Sequence, residues 1–189
     1  MTLYKIILSF YLRHFEKNIT KFTLALFWIT MLTISSSLIN PNIVNKASAE
    51  SCSANLSVSR VIASGNDADS PPSNVLDNNR GTKWSNPGVG SWIRADLGST
   101  KSICSVDIAW WKGNERRYNF VIATSTDGTT FTTKLTTSSS GTTTNSEKYI
   151  IGSTNARYVK VTVNGNTANT YAHITELDVF GLVGSCAAN

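Results

Sequence analysis

An all-β fold, a sandwich or jelly roll behind a hydrophobic leader helix, is what this sequence predicts, on three observations. From Leu56 onward the chain is a series of short segments in which apolar and polar residues alternate. Turn-forming clusters such as Ser70-Pro71-Pro72-Ser73 and Asp127-Gly128 separate them. No long stretch of 3.6-residue periodicity interrupts them. Alternation places apolar side chains on one face of a strand, and many such strands at this spacing pack as two sheets.

In chain order, Leu56–Ala63 opens the domain, and the proline pair stops it and leads into a compact loop over Asn74–Thr82. Strands are then expected at Ser91–Leu97, Ile103–Trp111, Tyr118–Ser125, Glu147–Ile151, Ala156–Val163 and Ile174–Leu182. Tyr118, Phe120 and Ile122 share one face of their strand, and Val159, Val161 and Val163 share one of theirs. Asp127-Gly128 is a hairpin signal. The Ser/Thr-dense stretch 123–146 lacks proline and is interrupted by Phe131 and Leu135, so it reads as exposed strand and loop rather than a glycosylated stalk.

Residues 1–49 read as a separate leader. Lys5, Arg13, Lys17 and Lys21 precede an apolar run from Phe22 to Ile39, and Ala47-Ser48-Ala49 offers small residues at which a signal peptidase would cut. The run is also close to the length of a spanning helix, so an uncleaved N-terminal membrane anchor is the alternative. Either way residues 50–189 form the domain and lie outside the cytoplasm, secreted or membrane-tethered, with the membrane met only through the N-terminal segment.

The formal charge of +5 is concentrated in that leader, where five Lys/Arg against one Glu give +4. The remaining twelve Lys/Arg and eleven Asp/Glu leave +1, which gives no general grip on a phosphate backbone and argues against a nucleic-acid partner. Cys52 and Cys186 bracket the domain, and an exported chain can form disulfides. Closing so long a loop would stabilise by about 4–5 kcal/mol in a chain-entropy treatment. Cys104 alternates with Val106, Ile108 and Trp110 and is expected as a buried free thiol.

The sequence holds no His-Glu-x-x-His, Cys-x-x-Cys or Gly-x-Ser-x-Gly, and no phosphate-cradling glycine loop. His173, the one histidine after the leader, is expected as a partly exposed residue at a strand entry. The chain therefore reads as a binding protein rather than an enzyme. Its most informative stretch is Trp110-Trp111-Lys112-Gly113-Asn114-Glu115-Arg116-Arg117-Tyr118. Two tryptophans end a strand, and a turn rich in donors, acceptors and both signs of charge follows. Aromatic faces beside convergent polar groups suit a small polar ring, which sugars are.

Six fragments then occur in order. They are Ala63-Ser64-Gly65; Asn74-Val75-Leu76-Asp77-Asn78-Asn79-Arg80-Gly81-Thr82-Lys83-Trp84-Ser85; Trp92-Ile93-Arg94-Ala95-Asp96-Leu97-Gly98; Ser125-Thr126-Asp127-Gly128; Ala156-Arg157-Tyr158-Val159-Lys160-Val161; and Ile174-Thr175-Glu176-Leu177-Asp178-Val179-Phe180-Gly181. Together they resemble the discoidin family, or coagulation factor V/VIII type C domains, and within it the family 32 carbohydrate-binding modules. The resemblance covers roughly residues 54–182. It implies a β-sandwich jelly roll of the galactose-binding-domain type, with its two ends tied by a disulfide, here Cys52–Cys186.

The resemblance also implies a structural calcium in the loop after residue 74. Asn74 would supply a backbone carbonyl, Asp77 a carboxylate, Asn79 an oxygen, Thr82 its hydroxyl and carbonyl, and Glu176 a late carboxylate. Gly81 departs from the pattern, since relatives often carry Asp or Asn there. At the sugar end Trp111 would stack on a pyranose, Lys112, Asn114, Glu115 and Arg116 would bond its hydroxyls, and Tyr171 would flank them. Trp84 and Trp92 are expected in packing roles. The implied function is an extracellular adhesion module on a glycan or glycoprotein, the sugar being a galactoside, an amino sugar or a uronate. A protein-binding adhesion domain is the alternative. Lipid-headgroup binding is weaker, because the Asn86–Gly90 loop offers only Val89 as an apolar tip.

Overall fold

The computed structural model describes residues 51–183. The expected leader over residues 1–49, the expected cleavage at Ala47-Ser48-Ala49 and Cys186 lie outside the described residues. Among those described are eight strands: β1 Ser51–Leu56, β2 Arg60–Ala63, β3 Trp84–Asn86, β4 Ser91–Trp110, β5 Tyr118–Ser125, β6 Thr132–Ser138, β7 Glu147–Asn166 and β8 Ala172–Val183. A single 3-10 turn, Pro72–Leu76, is the only helical element described. No described helix is long and apolar enough to cross a membrane.

All pairings are antiparallel, in the order β1-β8-β4-β7-β5-β6, with β2 on β4 and β3 on β8. The two long strands wrap this path around a core. The first part of β4, Ser91–Asp96, pairs with β2 and with Tyr158–Val163 of β7. Its second part, Lys101–Trp110, pairs with Glu147–Ala156 of β7 and with β8. Between them the register shifts at Asp96–Lys101, where Gly98 takes a φ of 77°. Glycine adopts that conformation without a Cβ clash, and Asp96 Oδ1 accepts from its N–H at 2.8 Å. The two strands expected at Ser91–Leu97 and Ile103–Trp111 are thus the two halves of one bent strand that ends at Trp110.

The inner face follows from alternation. Ile93, Ala95, Val159, Val161, Val163, Phe120 and Ile122 are all buried. Trp110 stacks on Tyr118 at 4.7 Å between ring centroids and donates its indole N–H to Tyr149 Oη at 3.1 Å. Trp84 is fully buried and its indole N–H donates to the Gly65 carbonyl at 2.9 Å, as its packing role requires. Trp92 is only half-buried.

The disulfide expectation is corrected. Cys52 is bonded to Cys104, not to Cys186, and Cys104 is not a free thiol. The reason is a register shift in β4 between Ile103 and Ser105. Ile103 takes the core position, and Cys104 lies outside the main apolar cluster, near β1 on the edge of β8. The Cα atoms of Cys52 and Cys104 are 5.8 Å apart, within ordinary bridging distance. Alternation counted back from Trp110 assigns Cys104 to the wrong face because a bulge shifts the phase.

Candidate functional site

β4 ends at Trp110, and its neighbour Trp111 is the first residue of a tight turn. Lys112 takes a φ of 52°, rare for a residue with a side chain. The N–H groups of Glu115 and Arg116 both donate to the Lys112 carbonyl, at 2.9 and 3.0 Å. Gly113 is buried because the Thr143 carbonyl and Trp110 crowd the place where a Cβ would stand. That close approach brings the Ser/Thr-rich 139–146 segment against the turn.

The result is a cleft of about 340 Å³ lined by Arg80, Trp110, Trp111, Lys112, Asn114, Glu115, Thr144 and Thr175. Trp110 is the buried floor, and Trp111 is half-buried. The Trp111 backbone is pinned, its carbonyl accepting from Tyr118 Oη at 2.7 Å. Burial pushes the Tyr118 hydroxyl up to about 12, so it stays a donor, with nearby Arg116 opposing the shift. Lys83 Nζ lies 4.6 Å from the centroid of the Trp111 ring. Lys112 and Glu115 form a 3.3 Å ion pair on the rim with both side chains about half-exposed, so the pair adds little stability. Arg80 reaches Asn145 Oδ1 at 2.6 Å, joining this rim to the loop after the 3-10 turn.

Of the predicted ligand residues, Trp111, Lys112, Asn114 and Glu115 are brought together in the cleft. Arg116 and Tyr171 do not line it. Both turn toward His173 instead: Tyr171 stacks on its ring at 5.2 Å, and Arg116 helps to hold its imidazole neutral. Arg80, Thr144 and Thr175 join the cleft from distant parts of the chain, and no local spacing in the sequence marks them.

His173 is buried rather than partly exposed. Burial first, then Arg116 and Lys83, push its pKa down to about 4. Its Nδ1 lies 2.9 Å from Ser85 Oγ, which donates to Asp67 Oδ2 at 2.9 Å. A hydrolytic triad needs the histidine between serine and acid. Here the serine stands in the middle and is itself buried, so this trio is a packing network.

The second cluster surrounds the loop after the 3-10 turn. Asp77 Oδ1 accepts from the Asn79 N–H at 2.9 Å, and Asp77 Oδ2 accepts from Thr82 Oγ1 at 2.6 Å. The Asn79 carbonyl accepts from the Thr82 N–H at 3.0 Å, and Asn79 Oδ1 from the Gly81 N–H at 2.9 Å. The Asn74 side chain turns away and donates to the Lys83 carbonyl at 3.0 Å. Glu176 projects from β8 beneath this loop. It is 8% exposed, and its Oε1 has no hydrogen-bond partner. Burial first, then the Asp77 charge, raise its carboxyl above the usual carboxylate range, while the N–H groups of Asn78 and Asn79 oppose them.

No curated protein matches the chain. Among solved structures, the carbohydrate-binding module of AlyQ, a CBM32 in complex with 4,5-unsaturated mannuronic acid, is 37% identical. It superposes with a TM-score of 0.66 over 68% of this chain and 98% of that one. A truncated AlyQ with CBM32 and alginate lyase domains is 35% identical with a TM-score of 0.67, and the match covers 71% of this chain but only 35% of that longer one. A pectin-binding carbohydrate-binding module is 27% identical with a TM-score of 0.62, over 71% of this chain and 96% of that one. The neighbours are thus carbohydrate-binding modules, one of them joined to a lyase. The profile of the F5/8 type C domain matches residues 51–177, most of the sandwich just described, and the chain belongs to that family.

Proposed function

We propose that this chain is an extracellular carbohydrate-binding module without catalytic activity of its own, that its ligand is an acidic, uronate-containing glycan held at the Trp111 cleft, and that a calcium ion stabilises the neighbouring loop. The observation that carries the reading is the cleft itself: a half-buried indole on a buried aromatic floor, with a rim of surplus positive charge. Trp111 offers a flat apolar face to a sugar ring, with few rotatable bonds to freeze. Arg80 and Lys112 against Glu115 supply charge-assisted bonds for a carboxylate, and Lys83 over the Trp111 ring adds to the positive field. Two neighbours point the same way, one in complex with an unsaturated mannuronic acid and one that binds pectin.

Calcium suits the second cluster. Glu176 Oε1 is a buried carboxylate oxygen that no protein donor satisfies, and the Asp77 carboxylate lies close enough to disfavour its ionisation. A cation reverses both costs. Asp77, Asn79, Thr82 and Glu176 would hold it, with the Asn74 carbonyl, all oxygen donors of the kind calcium takes. When bound, the ion would supply charge neutralisation and cross-link the loop to β8. Export is supported by the leader and by the Cys52–Cys104 bridge, which persists in oxidising compartments.

Titration calorimetry of the chain with oligo-mannuronate, oligo-galacturonate and a neutral manno-oligosaccharide tests the reading. The uronates are expected to bind and the neutral sugar to bind more weakly. Trp111→Ala is expected to lose about 1.5–3 kcal/mol, roughly ten- to a hundredfold in affinity, for one lost aromatic contact. Wild-type affinity in that variant would place the site elsewhere on the module. Equal binding of the neutral sugar would remove the uronate class, and no binding to any glycan would remove the module reading.

A further inference from the structure

A second cleft, of about 250 Å³, lies on the outer face of the sheet formed by β2, β4 and β7, and is built from a different set of residues. Arg60 and Ile62 come from β2, Arg94 and Asp96 from β4, and Arg157 and Tyr158 from β7. The registers put Arg60 opposite Asp96, Ile62 opposite Arg94 and Asp96 opposite Tyr158, so the cluster is fixed by strand pairing rather than by a loop.

Charge is unbalanced here. Three guanidiniums face one carboxylate, and that carboxylate is already taken. Arg157 Nε and Nη2 bond the two Asp96 oxygens at 2.8 and 3.0 Å. Arg94 donates from Nη1 to the Gly128 carbonyl at 2.8 Å, while its Nε has no partner. Arg60 is exposed and forms no side-chain hydrogen bond or ion pair with the described residues, so its donors are free. The Arg94 and Arg157 guanidiniums lie 5.1 and 5.0 Å from the centroid of the Tyr158 ring, which holds both beside the cleft. Guanidiniums fixed on an aromatic ring bind planar carboxylates without losing much side-chain freedom.

We propose that this arginine cleft is a second binding site, one that takes the carboxylate of an acidic sugar residue through Arg60 and Arg94, with the Arg157–Asp96 pair as its rigid base. The choice of a sugar carboxylate rests on the uronate reading of the Trp111 cleft. The cleft's capacity for an oxyanion does not. A polyuronate carries one carboxylate per residue, so a module with two separate anion sites would engage a long chain, or two chains, more strongly than a single sugar.

The test is calorimetry of the full chain with oligo-mannuronate at low and moderate salt. The variants are Trp111→Ala, Arg60→Gln and Arg94→Lys, singly and with each arginine change added to Trp111→Ala. Circular dichroism would confirm that each variant is folded. Trp111→Ala is expected to retain weak, salt-sensitive binding, and adding Arg60→Gln to weaken it about two- to fivefold further, as for removal of one exposed charge contact. The neutral manno-oligosaccharide should show no such residual binding. A folded Trp111→Ala with no residual affinity would overturn the second site and leave the loop site standing. Residual affinity unchanged by Arg60→Gln and Arg94→Lys would also overturn it. If the arginine changes weaken binding while Trp111→Ala does not, the loop reading fails and the arginine cleft stands. Absence of any uronate binding would overturn both.

Discussion

Individual side chains divide by how far their partners lie along the chain. Trp111, Lys112, Asn114 and Glu115 could be read together because one turn carries them, and the same short segment lines the cleft. Arg80, Thr144 and Thr175 could not, since they arrive from the loop after the 3-10 turn, from the 143 loop that Gly113 lets approach, and from β8. Arg116 illustrates the limit of adjacency: one residue beyond Glu115, it points to the Tyr118–His173 side instead. His173 itself carries a pH prediction. Its folded-state pKa is lowered to about 4, against an ordinary value of 6.5, chiefly by burial. The unfolded chain therefore binds the proton across that window while the folded chain does not, and stability must rise with pH there. Its contribution is complete above about 6.5 and is lost as pH falls toward 4. Thermal melts across this range should show the midpoint dropping on acidification, and His173→Gln should flatten that part of the profile. An unchanged slope in the variant would mean that other groups govern it.

Among the elements, the strand alternation was legible wherever one face is buried and the other is wet. β5 was read at its observed limits, Tyr118–Ser125. β6 was legible in kind, since 123–146 reads as exposed strand and loop after the Asp127-Gly128 turn, but its limits, Thr132–Ser138, come from its pairing with β5. Two features were not legible. β3 is three residues long and depends on β8. The opening segment splits into β1 and β2, since the first pairs with β8 and the second with β4. The Cys52–Cys104 bridge belongs to this scale as well, because it ties β1 to β4 across β8. It closes a loop with a sequence separation of 52, which chain entropy values at about 4 kcal/mol. Peptide mapping without reductant should recover Cys52 linked to Cys104. Cys104→Ser should lower stability by about 2–4 kcal/mol in denaturant unfolding. Recovery of a bridge to Cys186, or a Cys104→Ser variant as stable as wild type, would contradict this placement.

At the level of the whole molecule, the sandwich sets the Trp111 cleft and the loop after the 3-10 turn side by side, with Arg80 bordering both. Antiparallel strands wrapped on one core fix the termini of β4 and β8, and the loops hung from them are free to vary. One consequence concerns global stability rather than any local contact. Glu176 sits in β8, which pairs with β1, β3 and β4, while Asp77 sits in the loop before β3. An ion shared between them would join that loop to a strand central to the sheet, so its binding energy should appear in cooperative unfolding of the domain. An ion held only by the folded state stabilises by RT ln(1 + [L]/Kd), about 2.7 kcal/mol at a hundredfold excess. Calcium is therefore expected to raise the melting midpoint of the chain, and chelator to lower it. Asp77→Ala alone also removes bonds to Asn79 and Thr82, so it lowers stability whether or not an ion binds. The discriminating measurement is the calcium-dependent increment, which should vanish in both Asp77→Ala and Glu176→Gln. In Glu176→Gln the ion-free midpoint should hold or rise, since the buried unpaired carboxylate is gone. Identical melts in calcium and chelator for the wild-type chain would overturn the calcium site.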